Sequence, residues 1–189
     1  QVESYRRMLY QHVWEQRMVD QRMSRSVDDS VIIAFYEMNK RHFILHDAIL
    51  RGVLLVFPSG APKQDELRKH LLSPSNEEDI EWIEKYAYQY ASGYELFLDE
   101  WRPLSEVLQY APFEQKNITK QLKIGKMLEL EDSVNTYVLQ LTDICLAGDY
   151  EPMDYVRKEI EEMILSERRV DFIRGVREEL YNEALEQGK

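Results

Sequence analysis

The sequence predicts an α+β fold: a small antiparallel sheet with its own helices, flanked by an N-terminal helical arm and a long C-terminal helix packed together. Three observations lead there. The run Ala48-Ile49-Leu50-Arg51-Gly52-Val53-Leu54-Leu55-Val56-Phe57 is nearly all apolar and branched, and Pro58-Ser59-Gly60-Ala61-Pro62 stops it. That is the pattern of a central strand covered on both faces. Residues Met127–Glu131 and Asn135–Ile144 read as a hairpin across Asp132-Ser133-Val134, with Tyr137, Leu139 and Leu141 alternating with Val138, Gln140 and Thr142. Both ends of the chain run long without Gly or Pro while apolar residues recur near helical spacing.

From Val2 to Met23 the apolar positions Tyr5, Met8, Leu9, Val13, Met18 and Val19 mark the first helix. Ser26 or Asp28 caps a second, Val31 to Asn39, carrying Val31, Ile32, Phe35 and Tyr36. After the central strand, Gln64 to Leu72 reads as a short helix. Ser75 or Asn76 opens another, in which Glu77, Glu78 and Asp79 suit the positive end of the helix dipole and Ile80, Ile83, Tyr86, Ala87 and Tyr90 share a face. Tyr94 to Pro112 fits no single period, with Leu96, Phe97, Trp101 and Leu104 around Pro103.

Gly148 and Pro152 precede a final helix that continues to about Glu186, with Val156, Ile160, Met163, Val170, Ile173, Val176 and Leu180 as its apolar stripe. At 1.5 Å per residue it is about 50 Å long. A stripe of that length needs a second helix to cover it, and the first helix is the candidate, with Leu9 or Val13 expected in the seam.

Composition narrows the function. The net charge of −11 argues against a protein that tracks a nucleic-acid backbone, so no nucleic-acid partner is expected. No apolar run approaches the roughly 20 residues of a membrane helix, so no integral membrane segment is expected. Cys145 is the sole cysteine, which excludes an internal disulfide and a cysteine-rich metal site. Gln1 in place of an initiator methionine reads as the start of a processed or truncated chain.

Four segments in order then resemble one family. Val27-Asp28-Asp29-Ser30-Val31 with Phe35-Tyr36-Glu37-Met38-Asn39-Lys40-Arg41-His42-Phe43 looks like the helix that enters a parvulin domain in SurA/PrsA-type periplasmic proteins. Ile49 to Val56 resembles the first parvulin strand, and Asn135-Thr136-Tyr137-Val138-Leu139-Gln140-Leu141 the last. Gly148-Asp149-Tyr150-Glu151-Pro152 with Val156, Ile160 and Ile164 is similar to the segment that follows. The resemblance implies a parvulin-like domain over residues 43–149. The helical arm, 1–42, and the last helix, 150–189, would form a chaperone module.

The departures bear on activity. The resemblance places catalytic histidines where this chain has Gly52 and Tyr137, and a Gly-Gly-Asp-Leu-Gly stretch where it has Gly93-Tyr94-Glu95-Leu96-Phe97. Prolyl isomerisation needs only preferential binding of a twisted amide over a barrier of about 20 kcal/mol. The implied cleft is therefore degenerate, lined by Gly52, Leu54, Phe97, Trp101, Tyr137 and Gln140, with no catalytic residue assigned. Leu9, Val13, Met18, Ile160 and Met163 are the expected client-binding positions on the helices.

Other chemistry finds little footing. Of His12, His42, His46 and His70, the pair His42/His46 has a metal-like spacing of four but no third ligand, so no metal and no cofactor is expected. Phosphate loops, nucleophile elbows and His-Glu-x-x-His are absent from the sequence. Asn117-Ile118-Thr119 is a sequon by pattern alone. Tyr86, Tyr90 and Tyr94, and the methionines Met8, Met18, Met23, Met153 and Met163, read either as core or as surface that grips varied peptides. The expectation is an exported, SurA-like periplasmic chaperone that binds unfolded or extended envelope clients. The alternatives are an active peptidyl-prolyl isomerase (rotamase) using Tyr137 and Gln140, and an assembly subunit with one dedicated partner.

Overall fold

The structure, a computed structural model, describes residues 2–72, 74, 76–113, 118 and 121–186. Ser75 and the Asn117 and Thr119 positions of the sequon lie outside them. The chain forms two compact units: a helical unit, Gln1–Lys40 with Pro152–Lys189, and a sheet unit, Arg41–Glu151.

The helical unit holds α1 (Val2–Arg22), α2 (Asp29–Asn39) and α6 (Met153–Glu186). Asp28 precedes α2 in extended conformation, and its carbonyl, not its side chain, accepts from Val31 and Ile32 N–H. α6 runs unbroken through Gly175 for 34 residues. Its buried positions are Val156, Ile160, Ile164 and Val176, and α2 contributes Ile32 and Tyr36. Beside the first turns of α6, Asp29 pairs with Arg157.

The α1–α6 contact departs from expectation. Leu9 and Val13 are exposed, Val13 by 63%, and Val19 is the buried residue of α1 among those described. Polar groups hold the crossing: Arg177 Nε and Nη2 donate to Glu15 Oε1 at 2.9 and 2.7 Å, and Arg169 Nη2 donates to Gln16 Oε1 at 2.5 Å. Arg168 donates to the Ser26 carbonyl at 2.7 Å. The physical reason lies in the spacing: at about 100° per residue, Leu9 and Val13 stand roughly 80° and 120° round the helix from the buried Val19, off the face that meets α6.

The sheet unit holds β1 (Ile49–Pro58), α3 (Gln64–Leu71), α4 (Glu77–Tyr90), β2 (Gly93–Pro103), the single turn α5 (Leu104–Val107), β3 (Met127–Glu131) and β4 (Asn135–Cys145). The strands form one antiparallel sheet in the order β2-β1-β4-β3, so the two most apolar strands are central. This is the α+β architecture the sequence predicts.

One sheet face packs Leu50, Leu54, Phe97, Leu139 and Leu141 against Leu104, Val107, Ala111, Ile118 and Leu122. The other packs Val53, Leu55, Phe57 and Val138 under α3 and α4 through Leu67, Leu71, Ile83 and Tyr86. Burial on both faces explains why β1 lacks the polar alternation of a half-exposed strand. Asn76 caps α4 by accepting the Glu78 N–H at 2.9 Å.

Tyr94 does not extend the tyrosine face of α4, because Ala91 is extended and Gly93 starts β2. Instead His70, Trp82, Tyr86 and Tyr90 form a ladder with ring centroids 4.3, 5.5 and 5.1 Å apart in turn, and Tyr86 meets Phe57 edge-on. Tyr86 and Tyr90 are therefore packing residues. Burial pushes the Tyr86 phenol up, the Tyr90 charge adds to this, and Arg68 opposes it.

At its margin the sheet unit is clasped. Glu151 N–H donates to the Phe43 carbonyl at 2.9 Å, Leu45 N–H to Asp149 at 2.9 Å, and Gly148 N–H to Leu45 at 2.8 Å. Gly148 adopts φ +93°, a conformation open mainly to glycine.

Candidate functional site

The degenerate cleft expected from the sequence divides once its residues are placed. Gly52 sits at a register break in β1: toward β2 the pairing jumps from Leu50↔Arg102 to Gly52↔Phe97, and toward β4 from Arg51↔Asp143 to Gly52↔Leu141. Such bulges bring backbones close. A Cβ at Gly52 would lie 2.0 Å from the Gln140 carbonyl oxygen. The position that the resemblance gives to a histidine is thus closed by backbone in this chain, and no side chain fits without moving β4.

Tyr137 takes the second histidine position and works at the hairpin. Its hydroxyl donates to Asp132 Oδ2 at 2.9 Å, while Asp132 Oδ1 accepts the Val134 and Asn135 N–H groups at 2.7 Å each. The Asn135 and Val134 N–H groups, then the Tyr137 hydroxyl, hold the Asp132 carboxyl below its ordinary value. Gln140 is buried, and its Oε1 has no hydrogen-bond partner among the described residues. Phe97 belongs to the core, and Trp101 lies under the Arg51 guanidinium at 4.5 Å. Of the six expected cleft residues, Leu54, Phe97 and Tyr137 pack on one sheet face, and Leu54 lines an open cavity. The bulge before Gly52 sets Trp101 apart from them.

That cavity is a cleft of about 290 Å³ lined by Leu54, Val56, Ser92, Gly93, Tyr94, Glu95 and Tyr110. β1 supplies its apolar floor. Ser92 N–H donates to the Val56 carbonyl at 2.8 Å and so fixes the start of β2 against it. Tyr94 and Tyr110 are exposed. Sequence reasoning missed Val56, Ser92, Glu95 and Tyr110; the one available signal was an acidic residue directly before the apolar triplet Leu96-Phe97-Leu98.

In the helical unit a larger groove of about 680 Å³ is lined by Glu15, Val170, Ile173, Arg174, Arg177, Glu178, Tyr181 and Asn182. Burial raises the Glu15 carboxyl, but hydrogen bonds from Gln11 and Arg177 and the charges of Arg177 and His12 outweigh it and hold it below its ordinary value. Of the expected client-binding positions, Leu9, Val13 and Met163 are exposed and Met18 is half-buried. Ile160 is a correction: it is fully buried and offers no surface. Its helical phase matches Val156 and Ile164, which face the same core.

The histidines do not converge. His12 lies on α1, His42 ends a 3-10 turn (Lys40–His42), His46 is in the loop before β1, and His70 contacts Asp79 at 2.5 Å. Among the described residues no group of three or more His, Cys, Asp or Glu side chains is placed to hold a metal, and no helix is long and apolar enough to cross a membrane.

No family model and no curated protein matches the chain. A solved structure does, from work on the virulence factor PEB4 and the periplasmic protein Cj1289, described as two structurally related SurA-like chaperones of Campylobacter jejuni. The match has 17% identity and a TM-score of 0.36, and covers 97% of this chain and 71% of that one. A likeness of this degree assigns no function.

Proposed function

We propose that this protein is a chaperone that holds unfolded or extended polypeptides on its helical unit, with a sheet unit that contributes little or no prolyl isomerisation. One observation carries the reading: the helical unit leaves Tyr5, Met8, Leu9, Val13, Val170, Tyr181 and Leu185 exposed, and the last helix borders an open groove of about 680 Å³. Exposed apolar surface of this extent on helices marks a binding face. A surface that binds the unfolded state slows its aggregation by mass action, without chemistry. The periplasmic setting, and clients on the route of outer membrane biogenesis, follow the resemblance of the sequence segments given above.

The closed Gly52 position and the Tyr137–Asp132 bond speak against the isomerase alternative, since neither place supplies an imidazole to the proton network. The test is aggregation of an unfolded outer-membrane barrel protein, without nucleotide, with and without this protein. Suppression is expected. It should weaken severalfold when Leu9, Val13 and Tyr181 are changed to Ser, and survive Tyr137→Phe. Capture of one folded partner at fixed stoichiometry, with no effect on unfolded chains, would replace this reading with the assembly subunit. Saturable acceleration in a proline-peptide assay, abolished by Tyr137→Phe, would establish the isomerase.

A further inference from the structure

We infer that the cleft beside β2 is a recognition pocket for a cationic side chain, lysine or arginine, carried by an extended peptide. The inference rests on the polypeptide-binding reading above and adds a second site with its own chemistry. The cleft joins three features that a long cationic side chain matches. Leu54 and Val56 form an apolar floor on which the methylene stem packs. Tyr110, which is exposed, puts aromatic surface at the cleft, where a cation is attracted by the ring quadrupole. Glu95 lines the same cavity, is half-buried, and is paired with no cation among the described residues.

A carboxylate over an apolar floor is an incomplete arrangement. A neutral apolar side chain would cover it and remove water without supplying a counter-charge, which is costly. A phosphate or carboxylate ligand would be repelled. A cationic head on a hydrocarbon stem satisfies all three features together.

The strand order shows how such a side chain arrives. Within the sheet β2 is an edge strand, paired to β1 alone. Glu95 stands opposite Leu54 and Gly93 opposite Val56. An extended segment laid along this edge would point every second side chain to the cleft side of the sheet. The cavity of about 290 Å³ accommodates one long side chain, not a folded element.

The experiment uses the full chain and two twelve-residue disordered peptides of Ala, Val and Ser, identical except for a central lysine in one and norleucine in the other. Binding is followed by backbone amide shifts. The lysine peptide is expected to produce saturable shifts at Gly93, Tyr94 and Glu95, and the norleucine peptide to bind there at least tenfold more weakly. Glu95→Gln should erase that difference, and Tyr110→Leu should reduce lysine binding severalfold. Glu95 is half-buried, Tyr110 is exposed and neither belongs to a core cluster, so both variants should keep the parent melting temperature.

Equal binding of both peptides at the cleft, or a preference unchanged in Glu95→Gln, overturns the inference. Shifts confined to α1 and α6 overturn it too, and leave the chaperone reading standing. Binding of neither peptide anywhere on the chain overturns both.

Discussion

The two units solve the problem of holding a chain together in different ways. In the sheet unit the central strands are interlocked by shape: Leu50, Val53, Leu54, Leu55, Leu139 and Leu141 are all buried, and β1 touches β4 so closely at Gly52 that a methyl group has no room. In the helical unit a short apolar core on α2 and α6 gives way to a crossing held by Arg177–Glu15 and Arg169–Gln16, with apolar side chains left facing water. Steric interlocking makes a rigid scaffold; exposed surface charge pairs are worth about 0–1 kcal/mol each. The difference teaches where adaptability is affordable: a surface that accepts varied partners belongs on the unit whose contacts are easily rearranged.

The comparison is most open to attack at Ile160. Although it belongs to the loosely held unit, it is fully buried, so Ile160→Asp should lower stability by about 4 kcal/mol, read as the loss of helical signal on heating. An unchanged melting temperature would mean that the helical unit has no core of its own.

At Gly52 the expected effect is somewhat smaller. Gly52→Ala places a Cβ against the Gln140 carbonyl, a backbone atom that cannot rotate away, and should cost about 3 kcal/mol through displaced strands. A neutral outcome would show that β1 and β4 separate easily and that the scaffold description is wrong.

Glu15→Gln at the helix crossing should cost about 0.5 kcal/mol, and less at high salt. The carboxyl of Glu15 is held below its ordinary value in the folded chain, so its contribution is present at neutral pH and is lost as pH falls through the folded value. The parent should therefore lose more stability than Glu15→Gln on acidification, measured by melting between pH 7 and pH 3. Identical pH dependence would make that contact a bystander.

What could be read from the sequence follows the same division. β1, β4 and α6 were legible because a single period or a single composition runs through each: branched apolar residues, two-residue alternation, or an uninterrupted helical stripe. β2 was not, because four of its residues, 98–101, stand opposite the lone Arg51 and the alternation breaks there. The same bulge hid the cleft. It sets Trp101 apart from the regular stretch 52–56, which pairs with residues 93–97, so residues that an unbroken strand would align end in different surroundings. Glu95 and Tyr110 come together only through tertiary folding, which no local period reports. On α1 the apolar residues were visible but their fate was not, since Val19 is buried and Val13 exposed on one helix.

The clasp between Phe43 and Glu151 has a consequence for the order of folding. Glu15 and Arg177 are separated by 162 positions, and bringing them together in an unfolded chain means closing a very long loop. Once the sheet unit has folded, the Glu151–Phe43 hydrogen bond pinches off its whole length, and the loop still to be closed is roughly threefold shorter, an entropic saving of about 1 kcal/mol. A folded sheet unit thus lowers the entropic cost of bringing α1 to α6.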